Sequence, residues 1–176
     1  TYDASGNPAV VAVGTSGHFL KSQGAGSVPV FAAAGGGGKI LQVVGETSST
    51  ATSTTSITGV QKPNPSPTIT PSSTSSKILI IGQTMATVPG NYLEWTLGRA
   101  ISGGATTIDL SGTTDGMGRI TSTGENYLGV NWLDSPSTTS AVTYYFYFKN
   151  DNATENMTLG SASCKDHLTL IEIDGS

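Results

Sequence analysis

Hydrophobic and polar residues alternate with a period of two in several segments, which is the pattern of β-strands buried on one face. In YLEWTLGRA, the apolar positions Leu93, Trp95 and Leu97 are separated by polar or small residues. In AVTYYFYFKND, one predicted face is apolar from Val142 to Phe148. The other face carries Tyr145, Tyr147 and Lys149, and its two tyrosines indicate a second burial surface, such as a contact between subunits.

Two further segments are apolar on both predicted faces. KILIIG, which begins at Lys77, has no alternation and predicts a central strand that is buried on both sides. LTLIEID changes its apolar phase between Leu170 and Ile171, which predicts either a β-bulge or burial on both faces. Both segments are expected to lie in the interior of the fold.

Counting such segments gives about eight strands between Lys39 and Ser176, separated by turns rich in Gly, Ser, Asn and Asp. No window shows a sustained helical period with caps. The fold class predicted is all-β, with an antiparallel β-sandwich of the jelly-roll type. Four prolines in KPNPSPTITP, residues 62–71, exclude a central strand and predict an extended connection in which TIT pairs briefly. Residues 47–55 suit either an edge strand or a loop.

The N-terminal part has a different organisation. Residues 1–34 contain short apolar runs interrupted by turns, too little apolar surface to form a core alone. We therefore predict an N-terminal shaft or collar segment at 1–34 and a C-terminal β-sandwich head domain at 39–176. The four glycines at 35–38 between them predict a hinge, because glycine loses the most backbone freedom on ordering. A close approach of several chains, where no side chain fits, is the alternative.

Composition narrows the class of protein. Charged residues make up only 11% of the 176 residues, against about 25% in an average soluble protein. The net charge of -4 argues against a nucleic-acid partner, which would require a basic surface. The sequence has no apolar run of the length of a membrane span, so membrane insertion is not expected. The single cysteine, Cys164, cannot form a disulfide within the chain.

The residues that could carry chemistry do not form a recognisable catalytic pattern. GGGGK does not match the motif of a phosphate-binding loop, because that motif needs Ser or Thr after the lysine and this chain has Ile40 there. The two histidines have no ligand-spaced partners. Two of four carboxylates could lie at the right distance to act as acid and base in glycoside cleavage. Among 12 acidic residues, however, such pairs are common by chance. The four carboxylates are Asp109, Asp115, Glu125 and Asp134. We expect no enzymatic activity, no catalytic residue, no cofactor and no metal site.

Two segments carry a family resemblance. VGTSGHFLKSQGAGSVPVF, at 13–31, resembles the short repeat of bacteriophage tail-fibre proteins and related virion appendages. ITPSSTSSKILI, at 69–80, followed by the C-terminal LTLIEI, resembles the distal domain of phage tail-fibre or virion structural proteins. The resemblance implies a homotrimer on the virion surface, with an N-terminal shaft joined to other virion proteins. Its implied role is attachment to a host cell-surface receptor.

A glycan receptor suits the turn-rich loops, because Trp and Tyr stack on sugar rings while Asp and Asn bind hydroxyls. The receptor-binding candidates are Asn91, Tyr92, Asp115, Arg119, Glu125, Tyr127, Trp132 and Asp134. The subunit-interface candidates are Tyr145, Tyr147, Phe19 and Val30. A purely structural virion protein, such as a head fibre, knob or adaptor without receptor contact, is the alternative. A glycan depolymerase is the third hypothesis.

Overall fold

Fourteen β-strands and no helix make up the regular structure of the residues that the computed structural model describes, 5–7, 10–33 and 39–175. Within these residues no helix is long and apolar enough to cross a membrane. The chain divides into two compact units, Thr1–Gly38 and Lys39–Ser176. The predicted glycine hinge at 35–38 lies outside the described residues and remains a prediction.

The first unit is built on a two-stranded antiparallel hairpin. Its strands are β1 (His18–Lys21) and β2 (Val30–Ala33), with His18 opposite Ala33. The candidate interface residues Phe19 and Val30 lie on this hairpin, and both are exposed. Because the described side chains of this unit are largely exposed, its hairpin has little core of its own.

The second unit consists of two antiparallel sheets, which we name after their central strands. The β7 sheet contains β3 (Ile40–Ser48), β4 (Thr52–Thr54), β7 (Lys77–Val88), β11 (Gly124–Asp134), β13 (Met157–Leu159) and β14 (Asp166–Ile173). The β8 sheet contains β5 (Val60–Gln61), β6 (Thr68–Ile69), β8 (Leu93–Ile101), β9 (Thr106–Thr107), β10 (Gly118–Ile120) and β12 (Val142–Asn150).

The strand order is that of a jelly roll. Four pairs of consecutive strands each lie along one line and pair with the same neighbours, so we count each pair as one strand position. These pairs are β3/β4, β5/β6, β9/β10 and β13/β14, and with the four remaining strands they give eight positions in the second unit. The first position pairs with the last, the second with the seventh, the third with the sixth and the fourth with the fifth. The two sheets are β3/β4–β13/β14–β7–β11 and β5/β6–β12–β8–β9/β10. This nested pairing is the double Greek key of a jelly roll, so the predicted fold class is confirmed.

The core lies between the two sheets and follows the alternation seen in the sequence. In the β8 sheet, Leu93 and Leu97 are fully buried, and Trp95 packs against Phe146 with ring centroids 6.5 Å apart. The β7 sheet contributes inward residues of β7, β11 and β14. These are Ile78, Ile80, Leu128, Val130, Leu168 and Leu170. Burying side chains of this kind contributes about 1.5–3 kcal/mol each, so this layer is the main source of stability.

Proline places the β5/β6 position at the edge of its sheet. Thr68 and Ile69 pair with Thr143 and Val142, as predicted for the TIT segment. A strand with several prolines lacks the N–H groups needed to pair on both sides, so only an edge position is open to it. The neighbouring strand β12 pairs with β8 along all nine of its residues.

Two predictions for the β7 sheet are wrong in detail. The KILIIG strand is central in its sheet, but Ile81 points outward and is exposed, so the strand is buried on one face only. In β14 the alternation of burial continues through Leu170 and Ile171. The shift in register lies instead between Glu172 and Ile173. An outward Ile171 and an inward Glu172 create the phase change that the sequence shows.

Candidate ligand-binding site

The outer face of the β8 sheet carries a row of three charged side chains on three neighbouring strands. The register places Arg119 of β10 and Lys149 of β12 on either side of Glu94 of β8. The Glu94 carboxylate is 2.8 Å from the Arg119 guanidinium and 2.6 Å from Lys149 Nζ. These residues occupy outward positions because Leu93 and Trp95 take the inward ones.

Two loops border this row. The loop between β9 and β10 brings Asp109 to Thr96, whose hydroxyl donates to the Asp109 carboxylate at 2.5 Å. The same loop brings the carbonyl oxygen of Thr114 to within 3.3 Å of Lys149 Nζ. From the loop between β4 and β5, the carbonyl oxygen of Thr58 accepts a hydrogen bond from the Tyr147 hydroxyl at 3.0 Å.

Between the loops and the sheet lies a cleft of about 190 Å³. Its lining combines carboxylates, an ammonium group and hydroxyls with the apolar side chain of Ile108, which is half exposed. The polar lining residues are Thr58, Glu94, Thr96, Asp109, Thr114 and Lys149. Such a mixture suits a small polar ligand that presents hydroxyl groups.

Both carboxylates in the cleft are held in the charged form. Burial alone would raise the pKa of Glu94, but hydrogen bonds from Lys149 and Arg119 outweigh it and lower that pKa. Burial would also raise the pKa of Asp109, and hydrogen bonds from Ser111 and Thr96 likewise lower it. Both groups therefore act as hydrogen-bond acceptors at neutral pH rather than as proton donors.

Beside the cleft, four of the predicted receptor-binding residues lie close together. The Arg119 guanidinium stacks over the Tyr92 ring at 4.0 Å from its centre and pairs with Asp115 at 2.9 Å. Asn91, with a φ of 50°, forms the turn that leads into Tyr92. The pairing of β10 with β8 creates this corner, because it sets Arg119 opposite the start of β8.

Two other candidates lie on the opposite sheet. Glu125 and Tyr127 belong to β11 rather than to a loop, and both are exposed. The Tyr127 hydroxyl is 3.7 Å from the sulfur of Cys164, and this hydrogen bond raises the Tyr127 pKa. They share no surface with the cleft of the β8 sheet.

The last two candidates are partly or fully buried. Trp132 points inward from β11 and packs against the core. Asp134 is buried at the end of β11, where its carboxylate is 2.6 Å from Arg99 and accepts a hydrogen bond from the Tyr144 hydroxyl at 2.7 Å. The prediction of Asp134 as a surface ligand residue is wrong, since its oxygens are occupied by partners from the β8 sheet.

The two outward tyrosines of β12, Tyr145 and Tyr147, are buried by residues of the same chain. Tyr145 is 3% exposed, because its ring lies over Gly98, where no Cβ stands in its way. Tyr147 is half-buried beneath Gly59 in the same manner. Gly98 of β8 and Gly59 of the loop between β4 and β5 thus lie against the two tyrosines, and little of Tyr145 is left for a neighbouring subunit.

Sequence reasoning did not single out Glu94, Lys149 and Thr58 as site residues. The alternation places Glu94 and Lys149 on outward faces, but only the strand register shows that they lie directly opposite each other. Thr58 comes from a loop 36 positions before Glu94 in the sequence, and nothing local marks it as part of a site.

No family model matches the sequence. No curated protein matches it either. Among solved structures, the fold is similar to a chain in the structure of the infectious bursal disease virus Gx strain, with a TM-score of 0.43 and 12% sequence identity. The match covers 89% of this chain and 37% of that chain, so this chain spans little more than a third of the viral one.

Proposed function

We propose that this chain is part of a virion appendage, acts as a homotrimer and attaches to a host cell-surface glycan through the cleft on the β8 sheet. The observation that carries the proposal is the convergence of Glu94, Asp109 and Lys149 in one open cleft beside the Tyr92–Arg119 corner. The resemblance of residues 13–31 and 69–80 to phage tail-fibre segments supports the virion setting.

The chemistry of the cleft favours a sugar over other small ligands. The Asp109 carboxylate has one oxygen that can accept hydrogen bonds from sugar hydroxyls, because its hydrogen bonds from Thr96 and Ser111 all use the other oxygen. Glu94 holds the Lys149 ammonium group in place, and that group donates to hydroxyl or carboxylate oxygens. The Tyr92 ring and the half-exposed Ile108 add apolar surface for the C–H groups of a sugar ring. A volume of about 190 Å³ is sufficient for a terminal sugar residue and too small for a long polysaccharide.

The charges disfavour the depolymerase hypothesis at this cleft. Glycoside cleavage needs one carboxylic acid with a raised pKa that donates a proton to the leaving oxygen. The pKa values of Glu94 and Asp109 are both lowered. Binding without cleavage is therefore the function that we assign to the cleft.

Trimerisation would give such a small site useful strength. A single small cleft binds a sugar weakly. Three clefts on one trimer can bind three sugars of the same cell surface at once, which raises the overall avidity without any new contact. The residues before 39 would join the chain to other virion proteins.

We expect Lys149→Met to reduce glycan binding by about tenfold or more, because a charge-assisted hydrogen bond contributes about 1.5–3 kcal/mol. The measurement is binding of the full chain to an array of bacterial cell-surface oligosaccharides, followed by titration of the best ligand. Lys165→Met, the same change at an exposed lysine remote from the cleft lining, is the matched control.

Three outcomes would contradict the proposal. Equal loss in both variants would show that the effect is not specific to the cleft. Absence of binding by the wild-type chain to oligosaccharides and to host cells would favour a purely structural virion role. Release of reducing ends from host polysaccharide would favour the depolymerase.

A further inference from the structure

The outer face of the β7 sheet carries a row of apolar side chains that crosses all four strand positions. Val43 of β3 lies opposite Ile171 of β14, which lies opposite Leu79 of β7, which lies opposite Leu133 of β11. Since residues that are directly opposite share a face, all four side chains point away from the core. Val43 is 59% exposed and Leu133 is 55% exposed.

The apolar surface extends on both sides of this row. Ile81, 36% exposed, lies two residues after Leu79 on the same face of β7. On the other side, Ile40 pairs with Ile173, and Ile40 is also exposed. The apolar side chains thus cluster on the outer face near the end of the sheet at which β7 begins. An exposed apolar cluster of this kind is typical of an interaction surface.

The two sheets differ in how their outer faces are covered. On the β8 sheet, the Tyr145 ring lies over Gly98 and Tyr145 is only 3% exposed. On the β7 sheet, the apolar side chains at Val43 and Leu133 retain more than half of their accessible surface. The run KILIIG is apolar on both faces, as in a strand with both faces buried, yet its outward face is open in the single chain.

We infer that the outer face of the β7 sheet is the surface through which copies of this chain associate. The inference rests on the homo-oligomer part of the proposed function and is independent of glycan binding. Two properties of the face point to another copy of the chain as the occupant, namely its charge and its area.

The charge of the face suits contact with a like chain. The row from Val43 to Leu133 is uncharged. The row on one side of it, Gly45, Thr169, Ile81 and Asn131, is also uncharged. Two charged side chains of these strands face outward. Lys77 lies opposite Ile173, at the border of the apolar row, and Glu125 lies at the far end of the sheet. Depletion of charge at the centre is typical of homo-oligomer interfaces, because identical charges would otherwise be brought together.

The area of the face is also close to what a stable interface needs. Neighbouring strands are about 4.8 Å apart, and each residue advances about 3.3 Å along its strand. Four strand positions of about nine residues each therefore form a face of roughly 19 by 30 Å. Its projection is about 570 Å², and the accessible surface of protruding side chains exceeds the projection. One partner in a standard interface contributes roughly 800 Å², so the whole outer face, with its polar rows, would supply most of that contact.

The test is sedimentation velocity of the full chain over a range of concentrations. We expect the wild-type chain to be an oligomer and Leu133→Glu to weaken its association by about tenfold or more, since a carboxylate would be buried at the contact. Ile57→Glu is the matched control, because Ile57 is also 55% exposed but lies in the loop between β4 and β5. It should leave the association unchanged.

A second measurement needs no variant. Cross-linking of the wild-type oligomer with a short amine-reactive reagent should join Lys77 of one copy to Lys77 or Lys39 of another, because both lie at the border of the face. If Leu133→Glu fails to fold, this result decides the inference.

The outcomes separate the inference from the proposed function. A wild-type chain that is monomeric at all concentrations would overturn both the inference and the proposed homotrimer. A wild-type oligomer that Leu133→Glu does not weaken, or whose Lys77 forms no link between copies, would overturn the inference alone. The glycan titration tests the cleft separately, because it compares Lys149→Met with Lys165→Met.

Discussion

Asp166→Ala should lower the free energy of unfolding by about 3–5 kcal/mol, the cost of leaving one member of a buried ion pair without its partner. Lys62 and Asp166 are both inaccessible to solvent, and Lys62 Nζ is 3.1 Å from the Asp166 carboxylate. Removing the carboxylate would leave an ammonium group in the interior, where hydration cannot compensate for its charge.

The pair is well supported by backbone groups. Lys62 Nζ also donates to the carbonyl oxygen of Thr50 at 2.8 Å and to that of Asn64. The other oxygen of Asp166 accepts a hydrogen bond from the Thr84 hydroxyl at 2.8 Å. Because Lys62 follows β5 in one sheet and Asp166 lies on β14 in the other, the pair connects the two layers of the sandwich.

Denaturant unfolding followed by circular dichroism measures this effect. Asp174→Ala is the control, since the pair between Asp174 and Lys39 is exposed and 4.0 Å apart, and such pairs contribute at most about 1 kcal/mol. The double variant Lys62→Met/Asp166→Leu should recover part of the loss, because it leaves no buried charge. A loss below about 1 kcal/mol for Asp166→Ala would show that the pair is not essential to the core.

Acidification should remove up to roughly 3 kcal/mol of stability through Glu172 alone. Burial by itself would raise the pKa of this fully buried carboxyl, but hydrogen bonds from Ser72, Gln42 and Ser76 lower the pKa to about 2. Ser72 donates through both its backbone N–H, at 2.7 Å, and its hydroxyl, at 2.6 Å.

The direction of this pH dependence follows from the lowered pKa. The unfolded chain binds the proton near pH 4.5, whereas the folded chain binds it only near pH 2. The stabilisation is therefore complete above about pH 5 and is lost progressively as the pH falls toward 2.

Glu172→Gln separates this group from the other carboxylates. The variant should be less stable than the wild-type chain at pH 7 by roughly 2–3 kcal/mol, and the difference should shrink as the pH approaches 2. Glu125→Gln, at an exposed position on β11, is the control and should show little difference at any pH. A constant difference between wild type and Glu172→Gln across this range would refute the role of Glu172 ionisation.

The alternation of side chains made the core largely predictable from the sequence. Leu93, Trp95 and Leu97 lie inward as the pattern of β8 indicates, and Phe146 and Phe148 lie inward on β12. A strand has a period of two, so its buried face can be identified without knowing its neighbours. The prolines likewise fixed the edge position of β6.

The candidate site was less predictable, because a site depends on register and on loops. Tyr92, Asp115 and Arg119 were found by residue type and do lie together. Asp134 was selected by residue type in the same way, but it is buried and pairs with Arg99. A carboxylate that points to solvent and a carboxylate that is buried at the end of a strand look alike in the local sequence.

The serine-rich segment at 72–76 shows the same limit. Its composition is typical of a loop, and the sequence predicts no specific partner for it. In the fold, Ser72 and Ser76 surround the carboxylate of Glu172, which is about 100 positions away in the chain.

The sequence by itself determined the all-β class, the inward faces of most strands and the weak core-forming capacity of the first 34 residues. These properties follow from composition and local periodicity, which each segment carries independently of the others. Only the tertiary structure decided which residues meet. The Glu94–Lys149 contact, the Lys62–Asp166 pair and the apolar row from Val43 to Leu133 each join strands that are distant in sequence. Their positions depend on strand order and register, which are set by the packing of the whole sandwich.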